Sequence, residues 1–467
     1  MTINDSIFRE YDIRGVWNKD INKEFCVDLG KAFAVYLKEK TKKDNLIVSV
    51  GYDARLSSQE AFLGLSEGLN KEGVDVVNLK LVPTPVQYFS LFKLSLDGGI
   101  MITASHNPKE YNGFKLSLNK ETLYGSQIQQ VKEIMKNLDR YKTQNSKYGT
   151  VKEYDILKDY KNYILEQFGY LKDYKNKPSA VLDGGNGAGG FVGFEIIKEL
   201  GFDVKGLFIE PDGNFPNHHP DPTIKENLKV LIDTVKNEEY DVGIGYDGDA
   251  DRIGVVLKNE EMLYGDELLL LFAQDVIKNN KNAKIISEVK CSKVLFDGIE
   301  KAGGKAIMYK AGHSLIKSKM KEEKALLAGE MSGHIFFADR YFGYDDAIYA
   351  SIRLLEILTK EKIDLVEWKN RLPKTFNTPE IRVECPDDKK KTTVDRFIKY
   401  LENNREKLNI ININTIDGAR FETQNGWGLV RASNTQPSLV LRFEANSLDN
   451  LDNLKQTTMD ALNNFLD

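Results

Sequence analysis

One pattern, used three times, restricts this chain more than any other feature. An apolar strand, an amphipathic helix closed by glycine and a second apolar strand appear first as NLIVSVGYDAR, SSQEAFLGLSEGLNKEG and VDVVNL. They return as SAVLDGG, GGFVGFEIIKELG and FDVKGLFIE, and again as AKIISEVK, SKVLFDGIEKAGG and KAIMYK. Each copy predicts a βαβ unit, whose strands in one sheet run parallel with right-handed crossovers. Each copy then runs through more helix to another short strand and a polar loop: GGIMITASHNP, YDVGIGYDGDADR and ALLAGEMSGH. Ligands in such layers bind beyond the carboxyl ends of strands, so the three loops are expected to face one shared cleft.

The last hundred residues break the pattern. A helix (TVDRFIKYLENNREKL), the strands IININTI, ARFET, GLVRAS and SLVLRFEA, and a closing helix predict a small α+β domain, with Pro373–Pro379 as linker. A chain of 467 residues is too long for one core. The predicted fold class is α/β: three related mixed α/β domains built on βαβ sheets plus a C-terminal α+β domain, around a central cleft. Boundaries are expected at 1–152, 153–255, 256–370 and 371–467.

Composition narrows the function class. With 65 Lys and Arg against 70 Asp and Glu, the net charge of −5 gives no nucleic-acid footprint. Cys26, Cys291 and Cys385 are far apart in sequence, which argues against zinc or disulfides. The longest apolar run, LLLLFA, is far short of a membrane span. A cytoplasmic protein without membrane or nucleic-acid partners is expected.

DGDADR sets Asp247, Asp249 and Asp251 at alternate positions. In an extended strand they would share a face, and three carboxylates at one spot call for a divalent cation. An EF-hand needs glycine and glutamate where this chain has Arg252 and Lys258, so that loop type fails. Mg²⁺, which takes few protein oxygens plus a phosphate, fits better. In ITASHNP, neighbours on an extended segment point apart, so His106 is expected to be badly placed as a base for Ser105. A hydroxyl near a cation suits phosphoryl transfer, with Asn107-Pro108 making the turn that exposes it. Glu330, Ser332 and His334 suit vicinal sugar hydroxyls, because each unpaired polar group costs about 1–3 kcal/mol. In RASNTQP, Arg431, Ser433, Asn434 and Thr435 offer an anion site. GNGAGG, 185–190, satisfies the dinucleotide fingerprint, which leaves a dehydrogenase as an alternative at this point.

TASHNP, DGDADR, GEMSGH and RASNTQP, in that order, resemble the α-D-phosphohexomutases, and most of all the bacterial phosphomannomutase/phosphoglucomutase branch. The resemblance runs from FREYDIRG to the final helix. It implies an intramolecular phosphotransferase that interconverts mannose or glucose 1-phosphate and 6-phosphate. Hexose 1,6-bisphosphate would be intermediate and activator. It implies Ser105 as the phosphoserine, with one Mg²⁺ per chain held by Ser105, Asp247, Asp249 and Asp251. Glu330 and Ser332 would bind sugar hydroxyls, and Arg431, Ser433, Asn434 and Thr435 the non-reacting phosphate. Tyr11, Arg252, Lys290 and His313 match further substrate contacts, and Arg14, Lys115 and His334 become candidates for proton handling. His106 is left as a loop-shaping or phosphate-contacting neighbour, and GNG becomes the family's second-domain turn. Phosphorylated hexoses are the expected partners of a monomer or weak dimer. A glucosamine- or N-acetylglucosamine-phosphate mutase is the near alternative, and a Mg²⁺-dependent sugar phosphatase the more distant one.

Overall fold

A computed structural model describes residues 4–141, 147–433 and 436–466. In the first sheet, Ile47–Tyr52 lies between Asp75–Leu81 and Gly98–Ile102, parallel to both, and Tyr111–Leu118 joins antiparallel. In the second, Ala180–Asp183 lies between Val204–Leu207 and Val242–Tyr246, with Ile253–Leu257 antiparallel. The third repeats this with Lys284–Glu288 between Lys305–Tyr309 and Leu327–Gly329, and Ile335–Phe337 antiparallel. The threefold pattern in the sequence is thus a threefold strand order. The antiparallel fourth strand is an addition, where the chain doubles back after each polar loop.

The repeat also has a common helix ending. Ser58–Lys71, Gly190–Glu199 and Lys293–Lys301 are each followed by a glycine in the left-handed region: Gly73, Gly201 and Gly303 at φ 78°, 79° and 88°. Only glycine enters that region freely, which lets the chain leave the helix and return as the next strand.

In these three sheets the first strand of the repeat has its two successors on opposite sides. The crevice this opens at the carboxyl ends is where open α/β sheets bind ligands. Loops 103–110, 247–252 and 330–334 start there.

A shared core fixes these loops relative to one another. Phe89, from the helix Thr84–Lys93 beside the first sheet, packs in one cluster with Tyr160, Ile196, Tyr246, Leu269 and Tyr349 from the second and third units. Each large apolar side chain buried there stabilises the arrangement by about 1.5–3 kcal/mol. The other face of the first sheet has its own core around Phe25, Phe33, Val48, Ile100 and Phe114.

The C-terminal sheet is antiparallel, in the order Phe376–Asn377, Ser438–Ala445, Gly426–Ala432, Ala419–Thr423, Ile410–Asn414. Part of the expected Pro373–Pro379 linker is therefore an edge strand. Buried Arg420 joins this sheet to the third unit: it donates to the carbonyls of Val289 and Cys291 and stacks 3.7 Å from the Trp427 ring. Among the described residues no helix is long and apolar enough to cross a membrane.

Three turns nest backbone to backbone beneath the crevice. A Cβ on Gly187 would sit 2.6 Å from the Gly248 carbonyl oxygen, and one on Gly248 would sit 2.6 Å from that of Ser105. The dinucleotide alternative for GNGAGG is thereby overturned. The space its glycines leave is filled by the DGDADR turn, whose Gly248 carbonyl accepts from Ala188 N at 2.9 Å. Gly187→Ala is expected to lower stability by about 1–3 kcal/mol, because backbone cannot yield to the added methyl. Gly169→Ala has open space and a helical backbone and is expected to stabilise by up to about 1 kcal/mol. Paired denaturant titrations check both, and equal losses would refute the close-approach account.

Candidate active site

The serine loop begins where Gly98–Ile102 ends, and Ser105 takes a left-handed conformation at φ 50°. That twist corrects two expectations from an extended segment. The side chains of Ser105 and His106 come to the same side, and Ser105 Oγ lies 3.0 Å from His106 Nδ1. The hydroxyl is not exposed either: Ser105 is 1% accessible, because the aspartate turn packs onto it, and Oγ donates to Asp247 Oδ2 at 2.8 Å. One hydroxyl proton cannot serve both neighbours. With it on Asp247, His106 Nδ1–H donates to Oγ. Burial, followed by the charges of Arg252 and Arg14, pulls His106 well below its usual range and keeps the ring neutral.

The aspartates converge by a different route from the one expected. Val242–Tyr246 ends before them, and residues 247–252 form a tight turn with Ala250 at φ 57°. Oδ1 of Asp247 accepts from the backbone amides of Asp251 and Arg252, both at 3.1 Å, which closes the turn. All three side chains are buried, with ligand-capable oxygens within 4.8 Å of one another. Lys115, itself buried, reaches across from the first unit to Asp249 Oδ2 at 3.0 Å and to Asp251. Burial pulls the Lys115 ammonium down, but Asp249 and Asp251 outweigh it and hold the group well above its usual value. Even so, burial and then Asp251 and Asp249 push Asp247 well above the carboxylate range. Oδ1 of Asp249 is buried and accepts no hydrogen bond among the described residues. Lys115 and Arg252 are thus the cations set among three buried carboxylates, Asp249 Oδ1 is still left without a donor among the described residues, and an all-oxygen set of this kind fits a hard divalent cation. A second triplet, Asp251, His334 and Asp345, is already served by Lys317, 3.0 Å from Asp345.

The third loop meets this cluster at Asp251. His334 Nδ1 lies 3.0 Å from Ser332 Oγ and 3.1 Å from Glu330 Oε2, while Glu330 Oε1 accepts from Gly312 N at 2.7 Å. On its other nitrogen, His334 faces Asp251 Oδ1 at 3.3 Å and Arg252 Nε at 3.3 Å. These neighbours make opposite demands. An unprotonated Nε2 accepts from Arg252, whereas a protonated one donates to Asp251, so a proton gained or lost exchanges the partners. Burial lowers His334, yet attraction from Asp251 and bonds to Asp251 and Glu330 leave it above its usual range. His313 stacks on His334 with 5.5 Å between ring centres.

Around the rim, Arg14 binds Asp12 at 2.7 Å and Asn107 Oδ1 at 2.6 Å, which ties it to the serine loop. Tyr11 OH donates to the Ala311 carbonyl at 2.8 Å, bridging the first and third units. Lys290 lies between Glu380 at 3.4 Å and Glu288 at 3.7 Å, and Arg431 is paired to Asp417 at 3.0 Å. Burial lowers Lys290, but Glu288 and Glu380 raise it further than burial and nearby Arg431 lower it. Lys290 and Arg431 thus share one side of the cleft, and neither makes a hydrogen bond or ion pair to the aspartate cluster. Ser433 Oγ accepts from Gln436 N at 3.2 Å. Asn434 and Thr435 lie outside the described residues.

Arg55, in the turn after Ile47–Tyr52, escaped the motif search. It is fully buried, pairs with Asp53 at 3.1 Å and donates to the carbonyls of Ser105, Asn107, Pro108 and Tyr111. Thr84 was missed too; its hydroxyl donates to Asp249 Oδ2. The available signal was YDAR, a charged pair at a strand's carboxyl end, the position that carries the chemistry in the later strands.

Four domain families, described as phosphoglucomutase/phosphomannomutase alpha/beta/alpha domains I, II and III and C-terminal domain, match residues 5–142, 158–260, 264–376 and 380–461. The chain is 44% identical to a phosphomannomutase/phosphoglucomutase of Pseudomonas syringae pv. tomato, over 97% of this chain and 94% of that one. It is 42% identical to a phosphoglucomutase of Neisseria gonorrhoeae, over 96% and 94% respectively. A crystal structure of a phosphoglucomutase/phosphomannomutase family protein from Burkholderia thailandensis superposes with a TM-score of 0.90 at 38% identity, covering 99% of this chain and 98% of that one.

Arg55→Lys keeps a charge for Asp53 but cannot serve four carbonyls at once. It is expected to fold, to lose about 1–3 kcal/mol in denaturant unfolding and to turn over about tenfold more slowly. Unchanged turnover would mean that the serine loop holds its shape without the guanidinium.

Proposed function

The chain belongs to the phosphoglucomutase/phosphomannomutase family, and on that premise we propose that it interconverts hexose 1-phosphate and hexose 6-phosphate, taking glucose and mannose phosphates. The observation that carries this reading is the position of Ser105. Its buried hydroxyl donates to Asp247, in a turn that carries three buried carboxylates with Lys115 and Arg252 close by.

In the forward half-reaction, the free hydroxyl of the bound sugar phosphate attacks phosphorus on phosphorylated Ser105. The P–Oγ bond breaks, Oγ keeps the electron pair, and the sugar becomes a 1,6-bisphosphate. The sugar hydroxyl's proton passes to His334, whose Nε2 changes partner between Arg252 and Asp251 as it gains or loses that proton. Lys115 is an electrostatic group in this scheme, since its ammonium is held by two carboxylates. Asp247, Asp249 and Asp251 are the groups that would hold Mg²⁺, which when bound neutralises oxygens of the phosphoryl group. Glu330 and Ser332 orient sugar hydroxyls, with Tyr11, Arg252, Lys290 and His313 as further contacts. Arg431 and the 433–435 loop hold the phosphate that is not reacting. The bisphosphate then turns end for end, and the other phosphate is returned to Ser105 by the reverse steps. Free hexose 1,6-bisphosphate would prime unphosphorylated enzyme.

Ser105→Ala is expected to lose nearly all mutase activity and the mass of one phosphoryl group, while calorimetry still detects glucose 1-phosphate binding. Full activity in that variant would sink the assignment. Treatment with a chelator is expected to abolish turnover and added Mg²⁺ to restore it, and indifference to the chelator would remove the cation from the scheme. Assaying mannose, glucose and glucosamine 1-phosphates side by side, with inorganic phosphate monitored, separates this reading from a glucosamine-phosphate mutase and from a phosphatase.

A further inference from the structure

A cavity of about 730 Å³ lies between the first and third units, beside the crevice: Lys317 in its wall pairs with Asp345, which faces His313 and His334. None of the residues assigned above to catalysis, substrate or cation lines it. One wall is aromatic: Phe92 and Phe342, from different units, stack 4.7 Å apart, and Tyr88 meets Tyr344 edge-on at 5.5 Å.

The charges around it do not balance. Lys120, Lys317, Lys321 and Lys324 line the cavity against two carboxylates, Glu10 and Glu121. Glu121 is taken by Lys321, and Lys317 serves Asp345 at 3.0 Å. Lys120 lies 5.1 Å from the Phe92 ring centre, and neither it nor Lys324 has an ion pair among the described residues. On the wall formed by the helix His313–Glu323, Ser314 is 2% exposed, and its Oγ has no hydrogen-bond partner among the described residues.

We propose that this cavity is a binding site for a small amphipathic anion: a flat aromatic body with one carboxylate, sulfonate or phosphate group. The body would lie along Phe92 and Phe342, and the acidic group would take Lys120 and Lys324. A hexose phosphate lacks the apolar face this wall needs, so the occupant is chemically distinct from the substrate. Because the walls come from two units, the occupant ties them together.

The test uses the whole enzyme and anilinonaphthalene sulfonate, whose fluorescence rises in apolar surroundings. One saturable site is expected, undisturbed by saturating glucose 1-phosphate and competed by naphthoate or by naphthyl phosphate; the tighter competitor identifies the preferred acidic group. In the double variant Lys120→Glu, Lys324→Glu, affinity for the sulfonate should fall about tenfold or more. Binding of uncharged N-phenylnaphthylamine and mutase activity should both stay within about twofold of the parent, which shows that the fold is intact. Phe342→Ala, which removes one face of the aromatic wall, should weaken both probes. Displacement by glucose 1-phosphate, failure of both naphthalene acids to compete, or equal sulfonate affinity in parent and double variant would overturn the proposal.

Discussion

Three carboxylates buried within one short turn cannot coexist without positive charge, and that requirement organises the molecule. The nearest ammonium available to Asp249 and Asp251 belongs to Lys115, on a strand of a different unit. Burying Lys115 unpaired would be as unfavourable as burying the aspartates alone, since each charge needs the other to leave water. The first and second units are therefore joined by an electrostatic necessity placed at the centre of the crevice. The Ser105–Asp247 and Thr84–Asp249 bonds run in the same direction, from the first unit to the aspartate turn.

The rest of the site elaborates this junction. Arg55 shapes the serine loop through four backbone carbonyls, so the position of Ser105 is held by main chain rather than by its own side chain. His334 links the junction to the third loop, facing Asp251 on one side and Glu330 on the other. Fixed dipoles and charges in a crevice with little water need not reorganise when charge develops on a transferring phosphoryl group, which is where an active site gains most. Lys290 and Arg431 stand apart from this cluster, each held by carboxylates of its own.

Much of this was legible in the amino-acid sequence, because the signals are periodic or local. Strand–helix–glycine–strand, repeated, predicted three sheets of one design, and the polar loops at equivalent strand ends predicted a shared crevice. What could not be read was backbone geometry. Ser105 and Ala250 both take left-handed conformations that their residue types disfavour. Alternation along an extended strand therefore misplaced His106 and gave the right aspartate cluster for the wrong reason. Arg55 stayed hidden because its partners are main-chain carbonyls, which carry no sequence signature. The glycines of GNGAGG admit two readings because a turn shaped for a pyrophosphate and a turn shaped for another turn need the same missing side chains.

The nesting of Gly187, Gly248 and Ser105 bears on how the molecule comes into being. A ribosome delivers the serine loop about 140 residues before the aspartate turn that covers it. Until that turn arrives, Ser105 has no carboxylate to donate to, Lys115 has no counter-charge, and the Ser105 carbonyl faces no neighbouring backbone. The nascent first unit thus holds the serine loop without the turn that will cover it. The first unit is complete as a chain long before its charges are matched, and docking of the second unit is what buries Ser105 and pairs Lys115.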